Sequence, residues 1–206
     1  MPSGMDTKPT RKQLSHERIL ETASRAIRRS GCNGVGVADI MKEAGLTHGG
    51  FYAHFHSRDA MLAEALEYAG REGAARIAKR SASRQAQGMG PFQALVEGYL
   101  SDAHLQSCES GCPVAALASE MPRQAPEVRN VARGRVHGLL EMVQRSLPAG
   151  ATSQDAMAIA GTLVGTLQLA RVLGNNSDGK ALLAASRKAL IAQFDSQDTK
   201  GVPAAH

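Results

Sequence analysis

Tryptophan is absent from this 206-residue chain, and aromatic residues make up only 3% of it. Cysteines number three, an odd and sparse set. That argues against a disulfide-stapled secreted fold and for free thiols in a reducing cytoplasm. No strand-length alternation of apolar and polar residues occurs, and Ala and Leu supply much of the apolar mass, so the composition favours helices over sheets. Motifs of catalysis are missing too. There is no phosphate loop, nucleophile elbow, two-histidine zinc helix or dinucleotide fingerprint, which excludes the common enzyme classes and implies no cofactor. Neither an apolar stretch of membrane-spanning length nor a secretory leader is expected, and so no membrane partner.

What the chain does have is a mild excess of positive charge, +5, that is unevenly placed. Lys8, Arg11, Lys12, Arg18, Arg25, Arg28 and Arg29 all precede or lie on the first expected helix. A run of this kind is usually a solvated face; beside a groove-reading element, some of its members become phosphate contacts.

Helical spacing organises the rest. A first helix is expected from an N-cap at Ser15 to about Ser30, with Ile19, Leu20, Ala23, Ala26 and Ile27 as its buried stripe. A short helix should begin near Val37, behind Gly36 as a cap without a side chain. Ser57 should cap a long helix from Arg58 to about Arg80, ending before the SASRQAQGMG run of residues 81–90. Further helices are expected after Pro91, from Val114 to Glu120, after Pro126, from Ser153 to Gly174, and after Ser177 with Phe194 on its inner face. The polar segment 1–14 reads as a disordered arm, 15–60 and 61–195 as two domains, and 196–206 as a flexible tail.

The densest signal is VADIMKEAGLTHGGFYAHFHSRDAML, residues 37–62. A short amphipathic segment (Ile40, Met41, Ala44) stops at Gly45, and a polar turn, residues 46–49, leads into Phe51, Tyr52, His54 and Phe55. Two short helices joined by a Gly-containing turn form a helix-turn-helix, whose second helix can enter a DNA major groove. The spacing A-G-L-T-x-G-x-F-Y-x-H-F-x-S-R-x-x-M-L resembles the N-terminal signature of the TetR family of bacterial transcriptional regulators. The resemblance implies an all-α protein: an N-terminal three-helix helix-turn-helix domain followed by an all-helical ligand-binding and dimerisation domain. It further implies a homodimer that binds double-stranded DNA at a palindromic operator, most often as a repressor, and is released by an inducer.

Within the motif, Thr47 is expected to cap the recognition helix, with its hydroxyl facing a phosphate. Gly49 leaves no side chain where backbone and groove come close. His48 and Gly50 project from the first turn, and His48 is the candidate for base contact. Tyr52 and His54 resemble family positions that donate hydrogen bonds to phosphate. Arg58 stands where the family usually has Lys, as a charged phosphate contact. Phe51 and Phe55 should pack inward. In the last two long helices, small residues (Ala156, Ala160, Gly161, Gly165, Ala170) allow close helix approach. The family resemblance implies a four-helix dimer interface there; closure of the monomer's own core is the alternative.

In the body, His104, Cys108 and Cys112 recur at four-residue spacing. They are read as buried small hydrophobes, as a thiol switch with His104 favouring the Cys108 thiolate, or as a metal site lacking a fourth ligand, in that order. GCPVAALASE resembles a stretch of TetR-type regulators that respond to electrophiles or oxidants. Glu109 opposes the switch, since a carboxylate disfavours thiolate. Otherwise a small apolar molecule in a body pocket is the expected inducer. The competing function class is a helical adaptor that binds protein only, which leaves the pattern from Thr47 to Arg58 unexplained.

Overall fold

The computed structural model describes residues 9–198, with side chains through residue 193. Among them are nine α-helices and no strand. The first helix, α1 (Arg11–Ser30), starts four residues before the expected Ser15. Thr10 closes a capping box with Gln13: its hydroxyl accepts from the Gln13 N–H at 3.2 Å, and the Gln13 side chain accepts from the Thr10 N–H at 2.7 Å. Residues 11–14 are therefore helical and not part of an arm. Residues 1–8 of that arm, and 199–206 of the expected tail, lie outside the described residues, as does the Phe194 side chain.

Short α2 (Val37–Glu43) begins behind Gly36, which makes no side-chain cap bond. A 3-10 segment (His48–Ala53) follows. Ser57 then caps α3 (Arg58–Gln85), its hydroxyl accepting from the Ala60 N–H at 2.9 Å. This helix outruns its expected end, because residues 81–85 carry no Gly or Pro and continue the backbone ladder until Gly88 and Gly90 stop it.

The body begins with α4 (Pro91–Tyr99), which ends earlier than its apolar periodicity suggested. Ser101 caps a separate α5 (Asp102–Gln106), accepting from the His104 N–H at 3.3 Å. A 3-10 turn at Cys108–Ser110, α6 (Pro113–Leu117) and a second turn at Met121–Arg123 lead to α7 (Pro126–Ser146). Next, α8 (Ser153–Leu173) is capped by Thr152 with Asp155, and not by the expected Ser153; α9 (Ser177–Asp198) completes the described chain.

Two apolar clusters organise these elements. The first joins Ile19, Ile27, Ile40, Met41, Phe51, Phe55, Met61, Leu62 and Leu66, and is closed from the body by Leu117, Val128 and Ala132. The second gathers Tyr99, Leu100, Val143, Ile159, Leu163, Leu167 and Leu183 around the α4, α7, α8 and α9 faces. Helix α3 spans both, with Leu66 in the first and Ile77 in the second.

Contrary to the sequence expectation, the 21-residue helix α8 holds an 18-residue window of mean hydropathy 1.5, long and apolar enough to cross a membrane by length and composition. Its apolar residues serve two surfaces. Ile159, Leu163 and Leu167 are buried in the second cluster, whereas Met157, Leu169 and Val172 are exposed.

Candidate nucleic-acid interface

The turn after α2 depends on Gly45, whose φ of +70° is a conformation that side-chain-bearing residues rarely adopt. It lets the Gly45 N–H donate to the Lys42 carbonyl at 3.0 Å and the Leu46 N–H to the Met41 carbonyl at 2.8 Å. The chain thereby reverses and delivers residues 48–53 against α2. Phe51 and Phe55 anchor them: both rings are buried, 5.5 Å apart between centroids, as the sequence implied.

The expected recognition element is a 3-10 helix of six residues and not an α-helix. Thr47 opens it through its backbone, accepting from the Gly50 N–H at 3.0 Å, but its hydroxyl makes no cap bond, contrary to expectation. Thr47, His48, Gly49 and Tyr52 are all exposed, Tyr52 by 73%, and Gly50 is half-buried. A Cβ placed on Gly49 would meet nothing within 4 Å, so this edge of the fold is open.

His54 and Arg58 separate from that set. The His54 ring is half-buried, tilted against His16 and Phe55 at 5.8 and 6.4 Å, and its Nδ1 is enclosed with no hydrogen-bond partner. Burial, and to a smaller degree the charges of His16 and Lys12, lower its pKa. The Arg58 guanidinium turns back to donate to the carbonyls of Cys32 and, at 3.3 Å, Val35, and lies 3.8 Å from Asp59. It ties the loop between α1 and α2 to the start of α3.

Sequence reasoning missed His16. Its Nε2 lies 2.9 Å from Glu64, and its ring stacks on Phe55 at 4.7 Å, bracing α1 against the motif. The only available signal was its place three residues before Ile19, at helical spacing from the α1 stripe.

The basic run divides likewise. Arg11, Lys12 and Arg18 are exposed. Arg25 pairs with Glu21 at 2.6 Å, and Arg29 with Glu109 and Glu43 at 3.3 and 3.4 Å. Arg28 is no surface cation at all. Its side chain is fully enclosed and donates to the Ser24 carbonyl at 2.9 Å, the Gly111 carbonyl at 3.1 Å and Glu72 at 2.6 Å. Burial lowers its pKa, against the opposing pull of Glu72.

His104, Cys108 and Cys112 do not share a helical face. They occupy α5, a 3-10 turn and the residue before α6. The buried His104 ring has both nitrogens engaged: Nδ1 lies 2.7 Å from the Tyr99 carbonyl, and Nε2 accepts from the Cys112 N–H at 2.9 Å. This fixes a neutral tautomer with Nδ1 protonated, and burial lowers its pKa to about 4. It supplies no imidazolium to Cys108, which removes the activation that the thiol switch required. Cys112 is buried, and burial pushes the thiol of the third cysteine, Cys32, up to about 11. Cys108 is half-buried, its thiol donating to the Arg28 carbonyl at 3.2 Å. No group of three candidate metal ligands occurs among the described residues.

Comparison with known proteins bears on both halves of the chain. Residues 19–65 match a family model described as bacterial regulatory proteins, tetR family. Residues 88–186 match a tetracyclin repressor-like C-terminal domain. An HTH-type transcriptional regulator of Mycobacterium tuberculosis is 27% identical over 171 residues, covering 78% of this chain and 86% of that protein. A TetR transcriptional regulator from Chloroflexus aurantiacus has a similar fold, with a TM-score of 0.71 at 24% identity over 87% of this chain and 93% of the other. The reduced form of Escherichia coli NemR superposes with a TM-score of 0.66 at 18% identity, over 84% and 95%.

Proposed function

Because this chain belongs to the tetR family of bacterial transcriptional regulators, we propose that it is a cytoplasmic repressor that binds a palindromic operator as a homodimer and is released by a small molecule. The observation that carries the DNA reading is the open edge formed by Thr47, His48, Gly49 and Tyr52 on a base held by buried Phe51 and Phe55. Tyr52 reaches a phosphate, His48 a base edge, and exposed Arg11, Lys12 and Arg18 add positive charge on α1, with Lys12 near His54. Arg58 serves chiefly to prop the loop before α2, and His54 to pack the motif on α1.

In a gel shift with DNA flanking its own gene, Tyr52→Ala is expected to weaken binding to all sequences alike, by about tenfold. His48→Ala should lose about 1–3 kcal/mol of discrimination at one operator position. Unchanged affinity in Tyr52→Ala together with unchanged preference in His48→Ala would overturn this assignment of residues, and no shift by the wild-type protein would favour the adaptor reading.

Dimerisation rests on the outer face of α8, where Met157, Leu169 and Val172 are exposed beside Gly161 and Gly165. Neighbouring α9 offers exposed Ala181, Ala184, Ala185 and Ala192. Two such pairs make an apolar four-helix contact, and a two-fold axis spaces two recognition elements about 34–36 Å apart, or a multiple of it, on successive major grooves. Val172, 85% exposed, makes the sharpest test. Val172→Glu is expected to leave the protomer folded, give a monomer in analytical ultracentrifugation and abolish operator binding. A Val172→Glu protein that stays dimeric places the interface elsewhere.

A further inference from the structure

Two cavities lie side by side between α3, α6 and α7. The first, about 250 Å³, is lined by Leu66, Val114, Met121, Ala132 and Val136 and rimmed by Arg129, Arg133 and Arg135. The second, about 230 Å³, runs along Ile77, Leu139 and Met142 and is also lined by Glu141 and Arg145, which pair with each other at 3.6 Å. Each alone falls below the roughly 300 Å³ at which pockets for small molecules begin; joined, they exceed it. Pro113, Val114 and Arg135 line both, and of these three Arg135 is the long, flexible side chain at the divide. It lies flat over Gly70 of α3, where any Cβ would collide with its Cδ. A glycine at that point gives the arginine a bed on the helix surface.

The charges around the first cavity are one-sided. No acidic side chain lines it. Arg129 and Arg133, one turn apart on α7, have no ion pair among the described residues. Arg135 reaches Glu67 at 3.3 Å, yet its Nε is buried with no hydrogen-bond partner. A cationic ligand entering here would be repelled, and an uncharged one could offer the buried Arg135 Nε only a neutral acceptor. An anionic head would instead gain charge-assisted, even bidentate, hydrogen bonds.

We propose that the two cavities are one ligand site partitioned by Arg135, and that its ligand is a small amphiphile with a single anionic head. The head sits among Arg129, Arg133 and Arg135; the apolar tail displaces the Arg135 stem from Gly70 and runs to Ile77, Leu139 and Met142. Leu66 and Ala132 border this site and also belong to the apolar cluster that holds the DNA motif. Filling it therefore acts on α3, the helix common to both clusters. This signalling role rests on the inducer reading above; the binding preference does not.

The test uses the full-length protein, titrated calorimetrically with decanoate, decanol and decyltrimethylammonium below micelle-forming concentrations. Decanoate is expected to bind saturably and about tenfold or more tighter than decanol, and the cation not at all. Arg135→Met should reduce decanoate affinity by about tenfold while leaving decanol unchanged. If that variant fails to fold, Arg133→Met reads the same head-group field, and the comparison of three ligands on the wild-type protein stands without either. Equal affinities for decanoate and decanol, or no saturable decanoate binding, overturn the proposal. Operator release is followed separately by gel shift. Decanoate that binds with this preference and leaves DNA bound removes the inducer role and keeps the anion site.

Discussion

Acidification from pH 6.5 to about 4 is expected to cost this protein about 3 kcal/mol of folding stability through one side chain, His104. Its ring is buried, and both nitrogens are committed in the neutral form, one to the Tyr99 carbonyl and the other to the Cys112 N–H. A second proton has nowhere to go without breaking the Cys112 bond and placing a charge in an apolar cluster. The unfolded chain protonates the same ring near pH 6.5, while the folded chain resists until about 4. Between those values the unfolded state binds more protons, so stability falls as pH falls. The contribution is whole above pH 6.5 and exhausted at about 4. Urea unfolding at a series of pH values measures the slope, and His104→Gln should flatten that part of the profile while lowering stability at neutral pH. A His104 ring signal titrating near 6.5 in the NMR spectrum would sink this account.

The second large effect is expected at Arg28. Replacing it with Met should destabilise the fold by about 3 kcal/mol, the lower end for breaking a buried ion pair. In a domain of this size that lowers the melting temperature by about ten degrees. The lower end applies because Glu72 keeps Arg76 at 2.9 Å and is not left alone. Burial raises the Glu72 carboxyl, but hydrogen bonds from Arg28 and Arg76 outweigh it and hold it below the usual carboxylate range. That increment is present above the ordinary carboxylate pKa and is lost as pH falls through the lower folded value. Lys at position 28 will not rescue the loss. Its single ammonium cannot reach Ser24, Gly111 and Glu72 with the planar fork that arginine supplies. A melting temperature for Arg28→Met within a degree or two of wild type would show the link to be dispensable.

These two residues are joined. Arg28 of α1 holds the Gly111 carbonyl, and the next residue, Cys112, gives its N–H to His104 in the body. The Cys108 thiol rests on the Arg28 carbonyl. The region whose cysteines read in sequence first as buried hydrophobes and second as a thiol switch is thus a seam between the DNA-binding helices and the body. Four-residue spacing was misleading there, because Ser107, Gly111 and Pro113 break the chain into turns before any helical face can form.

The amino-acid sequence alone determined what depends on neighbours along the chain. The turn at Gly45, the Ser57 cap, the proline-led starts of α4 and α7, and the inward Phe51 and Phe55 follow from backbone geometry and short-range periodicity. Local spacing also carried the helix-turn-helix and, with it, the family. Tertiary structure decided which polar groups are free to act. Arg28 and Arg29 are adjacent and chemically alike, yet one is walled in by residues 44 and 83 positions away and the other is exposed. Arg58 is taken up by carbonyls 23 and 26 residues earlier, and Arg135 finds its bed on a glycine of another helix. A charged side chain is recruited by whatever acceptor the fold brings within reach, and distance in space between far-apart segments is not written in any local pattern.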